Sequence, residues 1–115
     1  MSDCLFCKIV AGDVPSEQVF ADDQVVVFKD IHPKAEVHLL IVPRIHVESL
    51  NEIKPEHDRL SAHIIRLLPK LAADQGLDEG FRTLINTGKG GGQLIFHLHV
   101  HLLGGARVTG TEKSE

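Results

Sequence analysis

The chain has 115 residues, with 12 Lys+Arg against 16 Asp+Glu and a formal net charge of −4, a length that calls for one domain built on one core. Hydrophobic residues make up 43% and charged residues 24%, an ordinary globular balance, and no apolar run approaches the ~20 residues that span a bilayer. An acidic chain without a Lys/Arg cluster also lacks the footprint of a nucleic-acid binder, so neither nucleic acid nor membrane is expected as a partner.

Met1-Ser2-Asp3-Cys4 carries no basic segment leading into an apolar stretch. That predicts a cytoplasmic protein, in which Cys4 and Cys7 serve as thiols or metal ligands rather than a disulfide. Ser2 or Asp3 can cap a short helix over residues 4–10, which ends at Gly12. Two β-rich runs follow at 17–21 and 25–29, separated by Asp22-Asp23. A third strand at 37–42 stops at Pro43. Its apolar composition predicts burial on both faces, interrupted by His38.

Pro55 suits a first helical turn. After it Leu60, Ile64, Leu67, Leu68 and Leu71 form one apolar face, predicting a helix over about 55–75 with Gly76 at its C-terminal cap. Pro69, inside it, should kink it because it removes a backbone donor. Residues 81–86 and 96–103 read as the fourth and fifth strands, separated by Gly88-Lys89-Gly90-Gly91-Gly92. Residues 106–115 form a polar tail expected to be loosely held.

Eight histidines are the unusual entry in the composition. In the fifth strand, period-two alternation puts His97, His99 and His101 on one face and Phe96, Leu98, Val100 and Leu102 on the other. Three adjacent imidazoles would repel one another if all were charged. At least some must be neutral and held in chosen tautomers by hydrogen bonds. Nucleophilic or acid–base chemistry and metal binding both suit such a row, and a half-exposed strand with a histidine face is the bland alternative. The glycine loop just upstream lets backbone N–H groups approach an anion. It lacks the Ser or Thr of a Walker motif, and alone it is equally a loose surface hairpin. Beside the histidines it reads as a phosphate site next to a nucleophile.

His97-Leu98-His99-Val100-His101-Leu102-Leu103 resembles the signature of the histidine triad family, and Gly104-Gly105 resembles its Hint branch of nucleoside phosphoramidate hydrolases. The likeness extends to Phe28-Lys29-Asp30-Ile31 with Pro33, His38-Leu39-Leu40-Ile41-Val42-Pro43, His46, Asn86 and Gly91-Gly92-Gln93. It implies an α+β fold: an antiparallel five-stranded sheet with one long helix and a short N-terminal helix, dimerising into a ten-stranded sheet. The implied activity is cleavage of P–N, and more slowly P–O, bonds at the α-phosphorus of purine nucleoside monophosphate derivatives.

In that resemblance the catalytic residues are His97, His99, His101 and His38: His99 is the nucleophile, His101 contacts the phosphate oxygens, His38 completes a relay with the triad, and His97 orients the triad indirectly if it ligates zinc. Asp30 accepts from the ribose hydroxyls. Leu5, Phe6, Ile9, Phe28 and Ile31 hold the base, while Asn86, Gly92 and Gln93 lie beside the phosphates. No organic cofactor is implied. Cys4 and Cys7 have the spacing of half a tetrahedral zinc site and need two more ligands; the resemblance supplies His46 and His97 as candidates for a structural zinc. A redox pair lacks its strand–helix context, and two unligated thiols remain the third reading. His32, His57 and His63 match no role and read as solvated surface residues.

Leu94 departs from the family, where a polar residue, often Ser, touches the phosphate and helps protonate the leaving amine. That departure keeps two alternatives in play. One is a nucleotide-binding interaction module with weak catalysis, and the other is a diadenosine-polyphosphate hydrolase, against which Gly104-Gly105 argues.

Overall fold

A computed structural model describes residues 4–106. The cap expected at Ser2 or Asp3 and nearly all of the polar tail lie outside this range. Helix α1 spans Leu5–Val10, and Cys4 is its N-cap, its Sγ accepting from the Cys7 N–H at 3.2 Å. Strands β1 (Gln18–Ala21), β2 (Val25–Lys29) and β3 (Val37–Pro43) follow. Helix α2 covers Asp58–Asp74, and strands β4 (Arg82–Leu84) and β5 (Val100–Gly104) complete the fold.

The five strands form one sheet in the order β1-β2-β3-β5-β4, each neighbouring pair antiparallel. Alternation along the strands divides the core. Val25, Val27, Leu39, Ile41, Val100 and Leu102 pack against the apolar face of α2. Val26, Phe28, Leu40 and Val42 face the other way and pack with Phe6 and Ile9 of α1. The central strands are therefore apolar on both faces, as their composition predicted.

Helix α2 begins later than expected. Pro55–His57 forms a separate 3-10 turn, in which the Lys54 N–H donates to His57 Nδ1 at 2.9 Å, and the α-helix starts at Asp58. The helix runs through Pro69, which lies on the exposed face with Ile65 four residues before it. The carbonyl that proline deprives of a donor thus faces solvent. Its end is a Schellman motif: Gly76 has φ +77, its N–H donates to Ala73 O and that of Leu77 donates to Ala72 O, both at 3.0 Å. Leu77 then packs on the core, so close to Gly104 that a Cβ there would lie 2.4 Å from Leu77 Cδ1. A side chain at Gly104, the last residue of β5, would require Leu77 to shift.

β5 is shorter than the predicted 96–103. Residues 96–99 lie outside the ladder: the Leu98 N–H donates instead to Val47 O at 2.6 Å, and the His97 side chain donates from Nε2 to Pro43 O at 2.8 Å. β4 is likewise confined to three of the six predicted residues.

Candidate functional site

Register places the first pair of histidines. His101 on β5 lies opposite Leu40, and His38 opposite Leu103, so both rings project on the α1 side of the sheet as diagonal neighbours. The Lys34 N–H donates to His38 Nδ1 at 3.0 Å. A backbone amide can only donate, so that nitrogen carries a lone pair and neutral His38 keeps its proton on Nε2. Nε2 in turn lies 3.0 Å from His101 Nδ1 and 3.4 Å from Asp30 Oδ2. With His101 accepting at Nδ1, its own proton sits on the buried Nε2.

His99 is fixed in the opposite sense. Its Nδ1 lies 2.7 Å from the carbonyl oxygen of His97, which can only accept. The His99 proton is thus on Nδ1, and Nε2 carries the lone pair. Phe6 packs edge-on against the His99 ring, with centroids 4.9 Å apart at 87°, and against Phe28 at 5.6 Å.

His99 and His101 line a pocket of about 340 Å³ with Leu5, Phe6 and Ile9 of α1, Phe28 of β2, Asp30 and Ile31 after it, and Leu40 of β3. That volume is at the lower end for small-molecule sites. Asp30 is oriented by the His32 N–H, which donates to Oδ1 at 2.8 Å. The walls are mainly apolar. Ile31 is 83% exposed, so it forms rim rather than wall.

The other three residues expected at the pocket take different places. Asn86 and Gly92 do not line it. Gln93 is 3% exposed and its amide is committed: Oε1 accepts from Gly88 N–H at 2.8 Å, while Nε2 donates to Glu48 O at 2.7 Å and Ile95 O at 3.0 Å. Gln93 therefore shapes the glycine loop. Val14 and Ile95 join the pocket without having been singled out; as apolar residues in loops they carried no distinguishing signal. Leu94 is 70% exposed and borders an adjoining cleft with Phe96, Leu5 and Ile95, the last two shared with the pocket.

His97 does not share a face with His99 and His101, because the strand alternation begins only at Val100. Fully buried, it turns toward Cys4, Cys7 and His46. Its Nε2–H donates to Pro43 O, which leaves the Nδ1 lone pair aimed into the cluster. Cys4 Sγ lies 3.3 Å and Cys7 Sγ 3.5 Å from that nitrogen. His46 Nδ1 lies 3.2 Å from both Cys7 Sγ and His97 Nδ1. Tetrahedral zinc with Zn–S of about 2.3 Å and Zn–N of about 2.0–2.1 Å needs donor–donor edges of about 3.3–3.8 Å. Two thiols and two imidazole nitrogens at these separations fit such an ion. Burial is the largest influence on His97 and holds its pKa below the usual imidazole value; His46 and His99 act in the same direction against the bond to Pro43. The neutral ring is the metal-binding form.

Two histidines read as solvated are structural. His63 Nε2 lies 2.6 Å from Asp22 Oδ2, tying α2 to the β1–β2 turn, and His57 stands in the turn before α2. Their partners lie in the backbone or far along the chain, where no local spacing reveals them. His32 lies exposed at the pocket rim.

An α+β sheet with tautomer-locked histidines and an acid around an apolar slot defines a histidine-triad type of site. Comparisons with known proteins agree. A family model described as scavenger mRNA decapping enzyme C-term binding matches residues 3–115. The chain is 49% identical over 104 residues to Protein HitA of Neisseria gonorrhoeae, covering 90% of this chain and 97% of that one. It is 38% identical over 104 residues to the purine nucleoside phosphoramidase of Escherichia coli, covering 90% and 87%. The crystal structure of a HIT family hydrolase from Legionella pneumophila Philadelphia 1 matches with a TM-score of 0.90 at 43% identity, covering 95% of this chain and 98% of that one. The chain belongs to the histidine triad (HIT) family and is a HIT-family hydrolase.

Proposed function

We propose that the protein hydrolyses purine nucleoside phosphoramidates through a nucleotidyl-His99 intermediate. The observation that carries this reading is the 2.7 Å bond from His99 Nδ1–H to the His97 carbonyl, which assigns the ring's lone pair to Nε2 in a residue that lines the pocket with Asp30 and His101. The base lies in the slot formed by Leu5, Phe6, Ile9, Phe28 and Ile31, and Asp30 accepts from the ribose. His99 Nε2 attacks the α-phosphorus; the P–Nε2 bond forms as the P–N bond breaks. The amine departs with a proton drawn from water at the pocket mouth. Water then attacks phosphorus, the P–Nε2 bond breaks, and the water's proton is released with the nucleoside monophosphate. His101 Nε2–H donates to a phosphate oxygen where negative charge grows, and His38 holds it in the donating tautomer.

Ammonia release from adenosine 5′-phosphoramidate, measured beside hydrolysis of a diadenosine polyphosphate, tests the reading. Faster P–N than P–O cleavage supports it, and the reverse ratio assigns the protein to the diadenosine-polyphosphate reaction. A second reading is favoured by Leu94, which has no hydroxyl to offer the phosphate or the leaving amine: a nucleotide-binding module of weak activity. Tight AMP binding with negligible release of ammonia supports that alternative.

A structural zinc held by Cys4, Cys7, His46 and His97 belongs to the same proposal, supported by the donor set and its edges. So does a homodimer with a continuous ten-stranded sheet; sedimentation at about twice the 12.6 kDa chain mass supports it and sedimentation at one chain mass refutes it. Among the described residues no helix is long and apolar enough to cross a membrane.

A further inference from the structure

Helix α1 belongs to two sites at once. It is six residues long, far too short to hold its shape in water without tertiary support. Cys4 caps it and Cys7 lies in its first turn, and both sulfurs turn toward His46 and His97. Phe6, between them in sequence, packs edge-on against the rings of both His97 (centroids 6.1 Å apart) and His99 (4.9 Å), and against Phe28. Leu5 and Ile9 of the same helix line the pocket. A second link runs through His97 itself, whose Nδ1 faces the cysteines while its carbonyl holds His99 Nδ1–H. Ordering the four donors thus orders both the slot wall and the nucleophile.

We propose that a divalent metal at Cys4, Cys7, His46 and His97 and a nucleotide in the pocket bind with positive coupling, transmitted by α1 and the His97 backbone. The inference rests on the nucleotide reading of the pocket given above. It makes the four cluster side chains positioning residues for nucleotide binding as well as a structural clip. Each ligand removes the fraying of α1 that the other would otherwise have to suppress, and linkage requires the effect to be reciprocal.

The test uses full-length protein, with free Zn²⁺ set by a chelator buffer so that metal bound by AMP itself does not enter. The zinc dissociation constant is measured with and without saturating AMP, and the AMP dissociation constant with and without bound zinc. Both are expected to fall by the same factor, about fivefold or more. Amide exchange over residues 7–11 should slow with either ligand and most with both. Phe6→Ala, which removes the ring contact between α1 and His99 and weakens AMP binding, should lower the coupling factor without abolishing it, because the link from the His97 carbonyl to His99 remains. Equal affinities in the two states, with both ligands bound, overturn the coupling. Absence of zinc uptake overturns the metal assignment and the coupling with it, whereas zinc uptake without AMP binding in either state overturns the nucleotide reading instead.

Discussion

His99 donates from Nδ1 to the carbonyl oxygen of His97 at 2.7 Å, so the residue that faces the pocket is oriented by the one that faces the cysteines. The side chains two positions apart serve different sites, and the backbone between them joins those sites. Three backbone groups, the Lys34 N–H, the Pro43 carbonyl and the His97 carbonyl, determine the neutral tautomers of His38, His97 and His99. The neutrality expected for crowded histidines acquires a specific proton map.

Asp30 offers a test of the pocket's orientation. Asp30→Asn keeps the bond from His32 N–H through its oxygen but replaces an anionic acceptor with a neutral amide. AMP affinity should fall about 10- to 100-fold, the scale of a lost charged hydrogen bond. A 2′,3′-dideoxy nucleotide should bind wild type weakly and lose little further on mutation. Equal losses for both nucleotides, read by calorimetry, would place the ribose elsewhere.

Leu94 is exposed in the cleft that adjoins the pocket through Leu5 and Ile95. Leu94→Ser should raise kcat for P–N cleavage about tenfold with little change in AMP affinity, because the new hydroxyl meets charge that develops in the transition state. An unchanged kcat would show that residue 94 lies out of reach of the phosphate.

Protein purified without added metal should contain close to one zinc per chain, and Cys4→Ser should lose most of it. Elemental analysis of the two proteins decides the matter. Zinc well below stoichiometry in wild type removes the structural metal from the account. Chelation should also lower Tm, since a metal bound only by the folded state stabilises it by mass action.

Asp22 supplies a pH dependence of stability. Burial pushes its carboxyl upward, but the N–H groups of Gln24 and Val25, with His63, outweigh burial and hold the pKa below 3.8. A folded-state pKa below the unfolded value stabilises the fold above about the ordinary pKa, and the contribution is lost as pH falls through the lowered one. Asp22→Ala should cost about 1–3 kcal/mol at pH 7. The gap from wild type should narrow as pH drops below 3.8. Denaturant unfolding at pH 7 and pH 3 measures it, and a gap independent of pH contradicts the assignment.

Most strands and the long helix were legible because period-two and helical spacing survive in a chain whose sheet is buried on both faces. The edges of elements were less so. β5 starts at Val100, with the Leu98 N–H spent on Val47 O and the His97 side chain on Pro43 O, tertiary pairings that alternation cannot show. The same departure sends His97 away from its two neighbours. The four-residue Cys/His cluster came from family resemblance, since residues 4, 7, 46 and 97 converge only through the fold. Gln93, expected beside the phosphates, spends its amide on Gly88, Glu48 and Ile95. His63 was misread for want of any local sign of Asp22, 41 residues away.

The central claim is that His99 Nε2 becomes covalently attached to phosphorus. Intact-protein mass during turnover of adenosine 5′-phosphoramidate, compared between wild type and His99→Ala, tests it most directly. The account predicts an adduct of adenylyl size in wild type alone, with ammonia released. AMP binding with neither adduct nor ammonia in wild type, or an equal adduct in His99→Ala, contradicts it.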